Sequence, residues 1–336
     1  MIPAAAPSAR DRRLLHLDPR SGRRSDLRVR DLPGLVHAGD VVVVNDAATL
    51  PASFAGRTPE GKPLEVRLAG GNPDATWTAV LFGAGDWRQK TEDRPAPPAV
   101  AAGASIAFGP GLAARVSAVS TLSPRLVTLS FTATGSTLWS AFYRLGRPVQ
   151  YSYLRAPVAL WDVQTFFASR PWAFEPASAG LALTAQVMDG LRARGAVIAT
   201  VTHAAGLSST GDPAIDAALP LRERYDVPAA TAEAVRAART GGSRVLAIGT
   251  TVVRALEGAA AEGPLQARAG WTDIRIGAGR PPRVVDALLT GLHQQGETHY
   301  ELLRAFAPDA ALEAALRHAE ARGYLTHEFG DAMLVL

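Results

Sequence analysis

The chain has 336 residues, 35 Lys and Arg against 31 Asp and Glu for a formal charge of +4, and no cysteine. The missing cysteines exclude disulfides, thiolate catalysis and Cys-ligated zinc or iron–sulfur clusters, so any chemistry falls to oxygen, imidazole and guanidinium groups. The length suits about two domains with well-buried cores. Lys occurs only at Lys62 and Lys90, so the positive charge is nearly all Arg. Arg stacks on bases and forks onto phosphates, although Arg and Ala enrichment together also follow from a GC-rich genome.

Residues 1–10 lack the apolar core of a signal peptide, and no later apolar run approaches a membrane span, which predicts a cytoplasmic protein with no membrane partner. After the turn at Leu32-Pro33-Gly34, the unbroken Val41-Val42-Val43-Val44 run predicts a strand buried on both faces and ending at Asn45-Asp46. From about Pro51 to Thr134 the pattern changes to short alternating runs (64–68, 77–81, 105–108, 114–119 and 126–131), which read as antiparallel strands of a small barrel or sandwich. Beyond about residue 150 the period shifts toward 3.6. Leu181, Thr184, Ala185, Met188 and Leu191 share a helical face, and helices over 229–240, 250–261, 298–306 and 309–322 alternate with strands over 196–201, 244–248, 284–289 and 332–336. Alternation of this kind predicts crossover connections and a largely parallel sheet. The expected fold class is α/β: a discontinuous α/β sandwich domain made of residues 1–50 and 150–336, with an inserted antiparallel β-barrel domain over 51–149.

The most informative stretch is Arg244 to Glu257, where an apolar strand breaks at Gly249 and Thr250-Thr251 open a helix carrying Arg254 and Glu257. Glycine there lets the backbone approach a ligand, the threonines offer hydroxyls or a cap, and the first amides suit an anion. Arg254 can pair with a carboxylate or phosphate, or with Glu257 at i+3 as an ordinary helical ion pair. His293 follows an apolar strand at the edge where open α/β sheets bind ligands, so it reads as a proton-transfer or binding group, or as a hydrogen-bonded structural histidine. Tyr151 and Tyr153 can stack on a base or simply sit exposed in a linker. No P-loop, dinucleotide fingerprint or nucleophile elbow occurs, and no His spacing suggests a metal site.

Eight segments also occur together in one order: Gly39–Asp46, Leu50–Ala52, Leu145–Pro148, Asp162–Thr165, Ser178–Thr184, Ala247–Glu257, Leu288–His293 and Gly330–Leu334. In that order they resemble the motifs of the S-adenosylmethionine:tRNA ribosyltransferase-isomerase family of queuosine biosynthesis. The resemblance implies an α/β domain interrupted by a β-barrel. It implies transfer and isomerisation of the ribosyl part of S-adenosylmethionine onto a 7-aminomethyl-7-deazaguanine base in tRNA, giving epoxyqueuosine and releasing adenine and methionine. S-adenosylmethionine is then a consumed substrate, with no cofactor and no metal expected; the partners are tRNA and S-adenosylmethionine. Nothing in the sequence sets an oligomeric state.

By the same resemblance Asn45, Asp46, Ser178, Gly180, Thr184, Gly249, Thr250, Thr251, Arg254 and Glu257 are candidate substrate-binding residues. His293, Glu223 and Asp331 are candidate catalytic residues, with Asp46, Glu223 and Asp331 unranked as bases. Ala182, Ala204 and Leu221 stand where the family carries histidines, with His203 next door to one of them. Such departures also fit a diverged enzyme acting on a small molecule, or a non-catalytic nucleoside- or RNA-binding protein.

Overall fold

A computed structural model describes residues 1–7 and 11–336; Ser8–Arg10, part of the polar N-terminal segment read above, lie outside the described residues. The fold is organised by β4 (Val41–Asn45), whose alternate side chains enter two different cores. Val41 and Val43 pack on one face with helices α4 (Ala229–Thr240), α5 (Thr250–Ala259) and α7 (Asp309–Ala321), whereas Val42 and Val44 pack on the other with α2 (Ala185–Ala193). A strand apolar at every position requires this double cover, so the four valines dictate helices on both sides of the sheet.

Around β4 the nine-stranded sheet is built from β2 (Arg13–Leu17), β3 (Arg24–Arg28), β13 (Val197–His203), β14 (Glu223–Val227), β15 (Val245–Ile248), β16 (Arg268–Thr272), β17 (Ala287–Gly291) and β19 (Ala332–Val335). Their order is β16-β14-β13-β4-β15-β17-β19-β2-β3. Only the centre, β13-β4-β15-β17, is continuously parallel; β14 and β16 at one end and β19 and β3 at the other run antiparallel to their inner neighbours. The largely parallel sheet expected from helix alternation is therefore a mixed one. A short connection accounts for the antiparallel β2–β3 pair, whereas β13–β14, β17–β19 and β14–β16 are antiparallel despite intervening helices. The N-terminal strands β2 and β3 were not legible, because β3 reads Arg-Ser-Asp-Leu-Arg and is mostly exposed.

Between β4 and α1 (Gly135–Leu145) the chain forms a closed barrel of β6 (Ser53–Arg57), β7 (Pro63–Gly71), β8 (Trp77–Phe82), β9 (Ser105–Gly109), β10 (Leu112–Val119) and β11 (Leu126–Phe131), in the order β10-β11-β8-β7-β6-β9. Strands β6 and β9 alternate buried and exposed positions, as a barrel wall must, but β7 is buried over most of its length. Helix α1, absent from the sequence reading, spaces Leu138, Ala141, Phe142 and Leu145 on one face and packs against the barrel core. The Phe142 ring lies 4.9 Å from Phe131, 5.1 Å from Phe54, 5.2 Å from Trp77 and 5.9 Å from Trp139, centroid to centroid.

Because Phe142 is fully buried in that cluster, Phe142→Ala should cost about 3–5 kcal/mol of unfolding free energy in denaturant titration. A loss under about 1 kcal/mol would show that α1 does not seal the barrel core.

Candidate functional site

The parallel register brings the carboxyl ends of β4, β13, β15 and β17 to one edge, and the antiparallel strands β14 and β19 present their first residues there. Asn45, His203, Gly249, Gly291, Glu223 and Asp331 consequently share this edge, the place where open α/β sheets leave a crevice. Two more elements reach it: the strand Arg170–Ala173, paired with Ala47–Thr49, and the short 3-10 turn Ser178–Ala182.

Gly249 occupies the helix N-cap position at φ 97°, a conformation that favours glycine, and a Cβ there would sit 3.3 Å from the Ala179 Cβ. The Ser178–Ala182 turn therefore lies against the start of α5. Neither threonine caps the helix. Instead the Thr251 hydroxyl accepts from Asn45 Nδ2 at 3.2 Å, and the first-turn amides of Thr250 and Thr251 have no intrahelical acceptor. Asn45 is a knot: its Nδ2 also donates to the His203 carbonyl at 3.0 Å, and its Oδ1 accepts from His203 N at 2.9 Å and Ala47 N at 3.1 Å. One buried amide thus ties β4, β13 and α5 together.

One turn into α5, Arg254 reaches across to β14. Its Nε donates to Glu223 Oε2 at 2.7 Å and its Nη2 to Glu223 Oε1 at 3.1 Å, while Gly206 N donates to Oε1 at 2.9 Å. Burial alone would raise the Glu223 carboxyl, but Arg254, then His203, and these hydrogen bonds hold it below its usual range. Glu223 is therefore a charged anchor for Arg254, with both oxygens engaged. Of the two readings of Arg254, pairing with a carboxylate holds, and the partner is Glu223 rather than Glu257. Glu257 accepts from the amides of Arg283, Val284 and Val285, pinning the chain ahead of β17, and its carboxylate is used structurally.

His203 is fully buried beside this pair, with Nε2 3.3 Å from Glu223 Oε2 but out of hydrogen-bond alignment, and Nδ1 also without a partner. Burial drives its pKa to about 4, against the pull of Glu223 and with the push of Arg254, so the imidazole is neutral and Arg254 is the cation of the cluster. The sequence noted His203 only as a neighbour of Ala204; its inward side chain became visible with the register of β13.

His293 lies two residues beyond β17, partly exposed. Its Nε2 is 2.9 Å from Thr290 Oγ1 and its Nδ1 3.5 Å from Glu297 Oε2, an arrangement in which a neutral ring carries its proton on Nδ1. It stacks on His299 of α6 (Thr298–Leu303) with centroids 4.8 Å apart and planes at 20°. Burial first, then the neighbouring His293 and Arg254, lower the His299 pKa. His327 belongs to the same group. It stacks on Tyr153 at 4.2 Å, and burial lowers its pKa, opposed by Glu297 and assisted by His293. His299, His327 and Glu297 were missed, since six and 34 residues of separation from His293 leave no periodic signal.

The remaining candidates divide. Asp46 stays partly exposed, accepting from Ser169 Oγ at 2.9 Å and from the Thr202 hydroxyl. Asp331 is engaged by backbone and guanidinium donors. It is buried and accepts from Arg13 N at 2.9 Å, Arg13 Nε at 3.1 Å and Leu325 N at 2.9 Å, joining β2 to the chain before β19. Gly180 and Thr184 line an open groove of about 370 Å³ with Gln164, Thr165, Phe166 and Leu181; Gly249, Arg254 and His293 are not among its lining residues. Thr184 also caps α2 through Val187 N at 3.2 Å, and Ser178 opens the 3-10 turn. Tyr151 is not an exposed linker residue; its hydroxyl donates to the buried Glu175. Among the described residues no group of three His, Asp or Glu could hold a metal ion, and no helix is long and apolar enough to cross a membrane.

His203 makes the stability of this edge acid-sensitive. In the unfolded chain it titrates near 6.5 and in the fold near about 4, so the fold binds fewer protons between those values. The stability of keeping it neutral is complete above pH 6.5 and falls as pH drops toward 4, by about 3 kcal/mol in total. His203→Asn should remove that part of the slope in denaturant midpoints measured across this range; identical slopes in both proteins would contradict a neutral buried imidazole.

The model of the family described as queuosine biosynthesis protein matches residues 2–335. An S-adenosylmethionine:tRNA ribosyltransferase-isomerase from Anaeromyxobacter dehalogenans is 35% identical over 331 residues, covering 96% of this chain and 92% of that protein. One of the same name from Thermus thermophilus is 35% identical over 321 residues, 92% of this chain and 88% of the relative. A crystal structure of S-adenosylmethionine tRNA ribosyltransferase from Thermotoga maritima superposes with a TM-score of 0.55 at 24% identity, covering 100% of this chain and 96% of that one, and so shares the fold. With a shared architecture and a match along nearly its whole length, the chain belongs to the queuosine biosynthesis protein family.

Proposed function

We propose that this chain is an S-adenosylmethionine:tRNA ribosyltransferase-isomerase. It transfers and isomerises the ribosyl moiety of S-adenosylmethionine onto 7-aminomethyl-7-deazaguanine in tRNA to give epoxyqueuosine, with adenine and methionine released. The observation that carries this reading is the likeness, at about 35% identity over almost the entire chain, to relatives bearing that name. In this reading S-adenosylmethionine is a substrate, tRNA the macromolecular partner, and the cytoplasm the setting. Residues 51–149 form the inserted barrel domain of a discontinuous α/β domain.

The edge offers groups suited to each requirement. The first amides of α5 at Thr250 and Thr251, at the positive end of the helix, suit the methionine carboxylate or a ribose hydroxyl, with Gly249 permitting close approach. Arg254, paired with Glu223, fixes the orientation of α5, and Asn45 and Thr251 set the helix start in place. The Asp46 carboxylate and the turn from Ser178 through Gly180 to Thr184 flank this region. His293 supplies proton transfer. The Glu297 contact orients the ring toward removal of a sugar proton or protonation of departing adenine. The roles of the absent family histidines at Ala182, Ala204 and Leu221 pass, in this assignment, to the group formed by His293, His299 and His327.

The test is adenine release from S-adenosylmethionine by the purified protein with tRNA carrying the 7-aminomethyl-7-deazaguanine base, with epoxyqueuosine read by mass spectrometry of tRNA digests. Wild type should give both products, and His293→Ala should lower kcat by about 10²–10⁴-fold while leaving S-adenosylmethionine affinity nearly intact. A wild-type protein that releases no adenine overturns the activity; a His293→Ala variant with full kcat removes His293 from the chemistry.

A further inference from the structure

Strand β14 carries Glu223 inward to Arg254 and Arg224 outward, and Arg222, the residue just before the strand, is exposed like Arg224. On the neighbouring β16, Trp271 is the register partner of Arg224. The Arg224 guanidinium carbon lies 3.8 Å from the centre of the Trp172 ring and 5.9 Å from that of Trp271; Arg170 lies 4.7 Å from Trp172, and Arg222 5.4 Å from Trp271. Five side chains thus alternate in space as Arg170, Trp172, Arg224, Trp271, Arg222. The row begins one residue from Ser169, which bonds Asp46, and ends one residue from Glu223, so it runs beside the candidate site.

The charges along this row are unequally satisfied. Arg170 is paired with Asp226 at 2.6 Å, but among the described residues neither Arg222 nor Arg224 has a carboxylate within ion-pair distance. A guanidinium laid on an indole is held in one plane while its N–H edges stay available. That leaves a flat cationic surface for a base to stack on and a fork for phosphate oxygens. Duplex RNA hides its base faces, whereas unpaired nucleotides expose them, so stacking surfaces interleaved with forks match single-stranded RNA.

We propose that this Arg–Trp row docks unpaired nucleotides of the RNA substrate beside the reacting base, a role that rests on the tRNA reading above and specifies where the RNA lies. Binding is measured by fluorescence anisotropy with a stem-loop RNA bearing an unpaired loop and with a blunt duplex of the same stem, across a salt series. Adenine release with tRNA and thermal melting are followed in parallel. Wild type should prefer the stem-loop, with quenching of tryptophan emission. The Arg222→Gln/Arg224→Gln double variant should bind it about tenfold or more weakly, with a shallower salt dependence, and with S-adenosylmethionine affinity unchanged. Arg224→Lys, which keeps the charge but not the plane, should restore the salt dependence without the full preference for the loop.

A folded double variant that binds the stem-loop as tightly as wild type overturns the docking role. So does a wild type that binds duplex and stem-loop alike, or one in which an acidic peptide competes and RNA does not. If wild type releases adenine with tRNA while the double variant binds normally, the docking role fails and the activity stands. If wild type binds the stem-loop through these residues yet releases no adenine, the activity fails and the docking surface stands.

Discussion

The buried pair of Arg254 and Glu223 is the constraint on which the functional edge depends. Removing two charges from water is costly, and only the forked geometry, with a further amide donor on the carboxylate, offsets that cost. Once formed, the pair fixes the axial rotation of α5 and hence where the Thr250 and Thr251 amides point. It also fixes which residues of β14 face outward. The Asn45 amide secures the same helix from the other side, through Thr251. His203, lodged against the pair, stays neutral because burial disfavours its charged form more than Glu223 favours it, with Arg254 adding to the effect of burial.

The histidines show how a cluster of imidazoles can be assembled by packing alone. His293 leaves the end of β17, His299 opens α6 and His327 precedes β19, yet rings and charges bring them together with Glu297 and Tyr153. None stands at Ala182, Ala204 or Leu221. Ala182 and Ala204 are buried, so the small side chains there fill core volume.

Much of the fold was legible because strong local patterns met no competition. Four valines demanded a doubly covered strand, period-two runs gave the barrel strands, and the helix over 229–240 was bounded by Gly241-Gly242. The antiparallel outer strands and α1 were not legible; β3 is nearly all polar, and α1 is short with a Gly-Ser-Thr start. At the site, sequence pointed correctly to the Gly249 turn as a sharp, glycine-dependent strand-to-helix junction. It could not show the partners of three carboxylates. Whether Glu223, Glu257 or Asp331 is a free base or a buried anchor depends on amides and guanidinium groups distant in the chain, such as Arg13 against Asp331 across 318 residues. The same distance hid the Arg–Trp row, whose members come from three strands.

A double-mutant cycle on the pair tests the central constraint most directly, using Arg254→Met, Glu223→Gln and their combination, read as unfolding free energy and as S-adenosylmethionine affinity. Each single change should destabilise by about 3–5 kcal/mol, because it strands a buried partner, and the double variant should be little worse than either alone. Affinity should fall in all three. Strictly additive losses, or affinity equal to wild type in the double variant, would contradict the claim that this pair sets the geometry of the edge.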